Sequence, residues 1–140
     1  MGVQTTLVPF RFITMLGHFL AALLVFFSYR DNVVVAMRFE YTDADYNFAS
    51  SSMLAVTILT FVCLAVQAFG FFGGFTMFDT GMSLFHCCCH VAASMLLAFF
   101  VIQKWHYVSA WYVFGFLGAP PALFELAAIL GVVVLKQRKW

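Results

Sequence analysis

Glu125 is a carboxylate inside an apolar run, flanked by Leu123, Phe124, Leu126 and Ala127. An ionised carboxylate within a bilayer is expensive, so such a group faces other helices, is protonated, or finds a donor. Two kinds of chemistry follow. One is a proton or substrate site. The other is an interhelical hydrogen bond that fixes packing beside Pro120-Pro121. Gln67, near the middle of another apolar run, is the most obvious polar partner. Carbonyls freed by the prolines are a second source of partners.

His86 and His90 are four residues apart and share a helix face, with Cys87, Cys88 and Cys89 between them. Histidine and cysteine are good zinc and copper ligands. These ligands, however, lie on about one helical turn and point several ways. Tetrahedral closure needs ligands from elsewhere, and the chain has no H-E-x-x-H and no paired C-x-x-C. No metal and no cofactor are therefore expected. The cysteine run begins about two turns into its apolar segment, where palmitoylation is chemically open. Nucleophilic catalysis has no signature: there is no G-x-S-x-G, no phosphate-binding glycine loop and no pair of carboxylates within the apolar runs. The expectation is that the protein is not an enzyme.

The elements that must carry these groups follow from composition. The 140 residues are 64% hydrophobic and 9% charged, against about 25% charged in soluble domains. Between Asp45 and Lys136 only Asp79, Lys104 and Glu125 are charged. A domain this small leaves much of its surface exposed, so lipid must be the solvent. The formal net charge of +1 leaves no basic footprint for nucleic acid. All four cysteines fall in apolar runs, which argues against a secreted disulfide framework.

A membrane helix needs about 20 mostly apolar residues. Four such spans are expected, at about 12–29, 53–74, 81–102 and 110–135, forming one domain over 1–140. The first has no small-x-small cleavage site at its end and reads as an uncleaved span. Pro9 suits a first helical turn. Met37, Phe39 and Tyr41 alternate with Arg38, Glu40 and Thr42, the pattern of a short half-buried strand in the first loop. Thr42 and Asp45 resemble a capping box, and Asp79 is placed as an N-cap. Pro120-Pro121, near the middle of the fourth span, predicts a kink. Trp105, Tyr107, Trp111 and Tyr112 suit a membrane interface.

Four spans put both termini on one side. Arg11, Lys136, Arg138 and Lys139 there face Arg30, Arg38 and Lys104 in the opposite loops, a small bias toward cytosolic ends. Gly70 and Gly74 form a GxxxG spacing, and Gly115–Ala119 and Gly17–Ala21 repeat the small-xxx-small pattern, which lets helices approach closely. Internal packing of the bundle is the expected use.

The order of residues also resembles a known family. Leu7, Val8, Pro9, Arg11, Phe12, Thr14, Leu16 and His18 stand at the start; Gly70, Phe71, Gly74, Met77, Phe78, Ser83 and Leu84 follow. His90, Ala93, Ser94, Leu97, Phe99, Phe100, Trp105, Trp111, Tyr112, Phe114, Phe116, Ala119, Pro121, Ala122 and Glu125 complete the pattern. It closely resembles the transmembrane protein 107 family over nearly the whole chain. The resemblance implies a component of the Meckel-syndrome module at the ciliary transition zone. It implies partners among other transmembrane components, tectonic proteins and B9-domain proteins, and no enzymatic activity. His18, His90 and Glu125 match the family pattern. His86 and Cys87–Cys89 do not, and Gln67 stands where the family often has an acidic residue.

The combined reading is an all-α, four-span membrane bundle with cytosolic ends. It would act as a scaffold subunit that supports ciliogenesis and gates ciliary membrane composition, in contact with membrane lipids. Gly70, Gly74, Gln67, Pro120, Pro121, His18, His90 and Glu125 are its candidate structural or interaction residues. The rivals are a small proton-coupled transporter or redox subunit using Glu125 and His90, and an accessory subunit of another membrane complex.

Overall fold

A computed structural model describes residues 2–37 and 40–134. Four stretches are long and apolar enough to cross a membrane: Thr5–Ala36, Asp43–Phe72, Thr80–Ile102 and Val108–Val133. The elements are α1 (Val3–Ala36), α2 (Asp43–Phe72), α3 (Thr80–Ile102), α4 (Val108–Val113), a π-helical segment (Phe114–Gly118) and α5 (Ala119–Val133). The fold is the expected all-α bundle. α1, at 34 residues, is about 50 Å long at 1.5 Å per residue. It therefore exceeds the hydrocarbon thickness of about 30 Å. Its helix begins before Arg11 and ends after Arg30 and Asp31, so these charges ride on the helix and are not in flanking loops.

Helix ends are set by local chemistry. Thr42 accepts the N–H of Asp45 at 3.2 Å, and the Asp45 carboxylate accepts the N–H of Thr42 at 3.1 Å. This is the capping box read from the sequence, and it starts α2. Asp79 accepts the N–H of Met82 at 3.0 Å and starts α3. The C-terminal ends of α2 and α3 use left-handed turns. Gly74, at φ 75°, reverses the chain after α2, and the Phe75 N–H then bonds the Gly70 carbonyl at 3.1 Å. Lys104, at φ 50°, plays the same part after α3, with the Trp105 N–H on the Phe100 carbonyl at 3.1 Å. The Gly70–Gly74 spacing thus belongs to a helix terminus, because α2 stops at Phe72 and Gly74 lies beyond it.

The fourth span departs from a regular helix where the prolines demand it. Pro120 and Pro121 have no N–H to offer the carbonyls one turn back. The backbone widens ahead of them, and the Ala119 N–H reaches the Phe114 carbonyl, an i→i−5 bond. Prolines then occupy the first turn of α5, where a missing N–H costs nothing. The irregularity is a π segment ending at Gly118.

The expected strand over 37–42 includes Arg38 and Phe39, which lie outside the described residues. Among the described residues there is no strand: Met37 caps α1, and Tyr41 and Thr42 lead directly into α2. Lys136, Arg138 and Lys139 also lie outside them.

α1 packs mainly on α3 and α2, and α2 packs on α5. The core runs through Met15, Ala22, Val25 and Val33 of α1, Met53, Val56 and Leu64 of α2, and Leu97 and Phe100 of α3. Thr57 and Thr60 satisfy their buried hydroxyls on the carbonyls of Met53 and Val56, so α2 carries them without an interhelical partner. Most other large apolar side chains, Phe27 and Phe116 among them, face outward. In water that would be an aggregation surface; in a bilayer acyl chains cover it. Near the α3–α4 turn, Asn32 of α1 donates to the carbonyls of Phe100 and Trp105 at 2.9 and 3.2 Å, which ties α1 to the end of α3.

Gly74→Ala should lower the thermal unfolding midpoint in detergent, because a Cβ at positive φ costs about 1 kcal/mol or more. Gly17→Ala is the control. An added Cβ there meets nothing within 4 Å, and its midpoint should hold.

Candidate functional site

The Glu125 carboxylate meets a cation that the charge pattern had placed outside the membrane. Arg11 of α1 is 1% exposed and Glu125 is 0% exposed, and the Arg11 Nη2 donates to Glu125 Oε2 at 2.8 Å. Arg11 is therefore not a flanking positive charge, and it drops out of the count used to orient the chain. Its neighbours extend the pair into a network, although the buried Arg11 Nε has no hydrogen-bond partner. The Arg11 Nη1 donates to the Thr76 carbonyl at 3.2 Å and to the Thr76 hydroxyl at 3.1 Å. The same hydroxyl donates its own proton to Glu125 Oε1. Thr76 thus bridges both ions, and each oxygen of the carboxylate has a donor.

His86 of α3 closes the remaining side. Its Nδ1 lies 3.3 Å from the Arg11 Nη2, and its Nε2 lies 3.4 Å from Glu125 Oε2. Arginine has no acceptor, so His86 Nδ1 must accept and the ring proton sits on Nε2, toward the carboxylate. That second contact is within ion-pair range but is not a well-formed hydrogen bond, since Nε2 has no hydrogen-bond partner. The Arg11 guanidinium also stands 5.3 Å from the centre of the Phe71 ring, a cation–π contact.

Gly70 makes this possible. A Cβ at position 70 would collide with the Glu125 side chain. The glycine lets α5 bring the carboxylate against the backbone of α2. Thr76 belongs to the α2–α3 connection, so the ion pair lies toward that end of the bundle and not at its centre.

A second polar pair continues along the α1–α3 contact. His18 and His90 are 2% and 0% exposed, and their Nδ1 atoms are 3.0 Å apart. One must donate and the other accept, so the two rings hold opposite tautomers at this atom. The His86 and His90 rings are 6.0 Å apart, centre to centre. His90 Nε2 has no partner.

Gln67 is fully buried, but it is not the partner of Glu125. Neither its amide nitrogen nor its oxygen is hydrogen-bonded. Of the cysteines, Cys87 and Cys89 are buried, Cys88 is exposed, and all four are free thiols. No three His, Cys, Asp or Glu side chains among the described residues converge as a metal site. Pro121 is buried beside Glu125 on α5.

Comparison with known proteins places this chain in a family. Residues 7–129 match the profile of transmembrane protein 107, a family described as "Transmembrane protein". The chain is 34% identical to transmembrane protein 107 of Mus musculus over 138 residues, with 99% of each chain covered. It is 33% identical to that of Homo sapiens at the same coverage, and 27% identical to that of Xenopus laevis. This chain belongs to the transmembrane protein 107 family. No solved structure matches it. The matched segment includes Arg11, Thr76, His86 and Glu125, so the whole network lies within the transmembrane protein 107 region.

Sequence reasoning located Glu125, His18 and His90 but missed Arg11 and Thr76 as partners. Arg11 precedes the long apolar run, so a hydropathy count leaves it in the flank. One signal was available: a single buried carboxylate calls for a cation, and Arg11 is the basic residue nearest the start of a span on the same side of the bundle.

Glu125→Gln leaves the Arg11 charge buried without a counter-ion. Loss of one partner of a buried pair costs about 3–5 kcal/mol. The variant should unfold well below the parent in detergent. Arg11→Met combined with Glu125→Met should recover most of that loss, read by the same thermal melt. Gly70→Ala should resemble the single charge loss, since it expels Glu125 from its place.

Proposed function

We propose that this protein is a non-enzymatic scaffold subunit of the ciliary transition zone membrane complex. It supports ciliogenesis and gates what enters the ciliary membrane. The family to which the chain belongs and the resemblance it carries support that placement. The structural observation behind the scaffold reading is the buried Arg11–Glu125–Thr76 network. Its ionic groups are turned on one another and buried, an arrangement that fixes helices and presents no reactive atom to a substrate. The lipid-facing surface, rich in phenylalanine, is what remains for partner spans, consistent with partners among other transmembrane components. Tectonic and B9-domain proteins are the further partners this reading names. Both termini are taken as cytosolic, on the strength of the basic C-terminal residues Lys136, Arg138 and Lys139.

A proton-coupled transporter is the second reading. One observation favours it: His86 Nε2 and His90 Nε2 are buried without hydrogen-bond partners beside the ion pair. Two measurements separate the readings. A tagged full-length chain expressed in ciliated cells should concentrate at the base of the cilium and co-purify with other transmembrane components in mild detergent. Diffuse endoplasmic reticulum or mitochondrial signal would count against the scaffold. In proteoliposomes, a pH-sensitive dye should report no proton flux above empty vesicles. Flux that disappears in His90→Gln would establish the transporter instead.

A further inference from the structure

At the end of the bundle opposite the ion pair, described residues at the end of α1, at the start of α2 and in the α3–α4 connection line an open cleft of about 430 Å3. Its walls are aromatic and acidic. Tyr41, Phe48 and Tyr107 line it beside the carboxylates of Glu40 and Asp45, with His106 at the same opening. The His106 and Tyr107 rings stack at 4.6 Å, and Tyr41 lies 6.4 Å from Tyr46. The capping box holds Asp45 in place, because Thr42 donates to it from both its N–H and its hydroxyl. Phe48 is 71% exposed near the start of α2, an apolar ring that the protein covers only in small part.

Aromatic faces with nearby carboxylates are the chemistry that receives an alkylated ammonium. Such a cation donates no hydrogen bonds, so it gives up little on leaving water and gains from ring faces and from negative charge. The imidazole adds a complementary group. His106 Nδ1 accepts the Val108 N–H at 3.3 Å, which leaves the ring proton on Nε2 as a donor. A donor suited to an anion therefore stands beside a box suited to a cation.

The position of the cleft narrows the ligand further. Trp105, Trp111 and Tyr112 occupy the same end of the bundle, and such rings settle at the level of lipid headgroups. Zwitterionic headgroups are the abundant solutes there. We propose that this cleft binds the phosphocholine headgroup of a membrane lipid. The quaternary ammonium sits against Tyr41, Phe48, Tyr107 and Glu40, and the phosphate lies toward His106. The site is remote from the Arg11–Glu125 network and does not depend on where in the cell the protein acts.

Native mass spectrometry of the full chain, released from micelles with equal phosphatidylcholine, phosphatidylethanolamine and phosphatidylglycerol, tests this. Phosphatidylcholine adducts should exceed phosphatidylglycerol adducts at least threefold. Glu40→Gln and Phe48→Ala should each reduce that preference by half or more. Both residues are exposed, so helix content by circular dichroism should stay at the parent value. Equal binding of phosphatidylcholine and phosphatidylglycerol would overturn the proposal. So would a preference unchanged in both variants. Phosphatidylethanolamine binding as well as phosphatidylcholine would overturn the choline assignment. A photocrosslinker at position 48 that captures protein but no lipid in native membranes would show that a protein partner fills the cleft instead.

Discussion

In a bilayer, an arginine on α1 and a glutamate on α5 are each a liability until they meet, and their meeting dictates much of the surrounding structure. To bring the Glu125 carboxylate to the Arg11 guanidinium, α5 must press against α2 where Gly70 has no side chain. The α2–α3 connection must fold inward so that Thr76 can bond both ions. His86 must hold its proton on the nitrogen that faces the carboxylate. The tight turn at Gly74 and the cap at Asp79 bracket that connection and aim it. Burial of an ion pair is weak evidence for net stability, since desolvation offsets much of the attraction. Its value is geometric: a pair that tolerates no unpaired alternative selects one arrangement of the first and last spans.

The two ends of the bundle do different physical work. At one end, polar side chains are turned inward and bond one another across helices, while Arg11 Nε and His86 Nε2 are left without hydrogen-bond partners. At the other, they are used locally: Thr42 with Asp45 starts α2, Asn32 closes the end of α3, and the Trp111 indole donates to Ser52 at 2.9 Å. At the first end Arg11, Thr76, His86 and Glu125 are buried. The second meets headgroups and water, and it leaves carboxylates and aromatic rings around an open cleft. Between them lies a core of methyl and phenyl groups, which resembles lipid too closely to specify helix order by itself. Polar contacts at the ends and close approach at small residues therefore carry the specificity.

Much of the fold could be read directly from the residues. The four apolar runs, the Thr42–Asp45 box and the Asp79 cap rest on local chemistry that needs no partner. The π segment was half visible. Two adjacent prolines announce a break, but whether the helix bends or widens depends on which carbonyls can find new donors. Gly74 shows the limit of a motif. Its spacing from Gly70 suggests a helix face, while its backbone conformation makes it a turn. Gln67 shows the same limit for a polar residue, since mid-run placement made it the natural partner for Glu125 and the fold gave that role to Arg11.

Composition alone determined that lipid is the solvent, because six acidic and seven basic residues in 140 cannot dress a soluble surface. It also determined that Glu125 needs company. Which residues supply that company was decided by tertiary structure. Arg11, Thr76 and His86 lie 114, 49 and 39 positions away in the chain; the first two bond Glu125, and the third approaches it to 3.4 Å. Separations that large leave no local periodicity. They are set by how four helices pack, and the missing side chain at Gly70 leaves the space that Glu125 occupies in that packing.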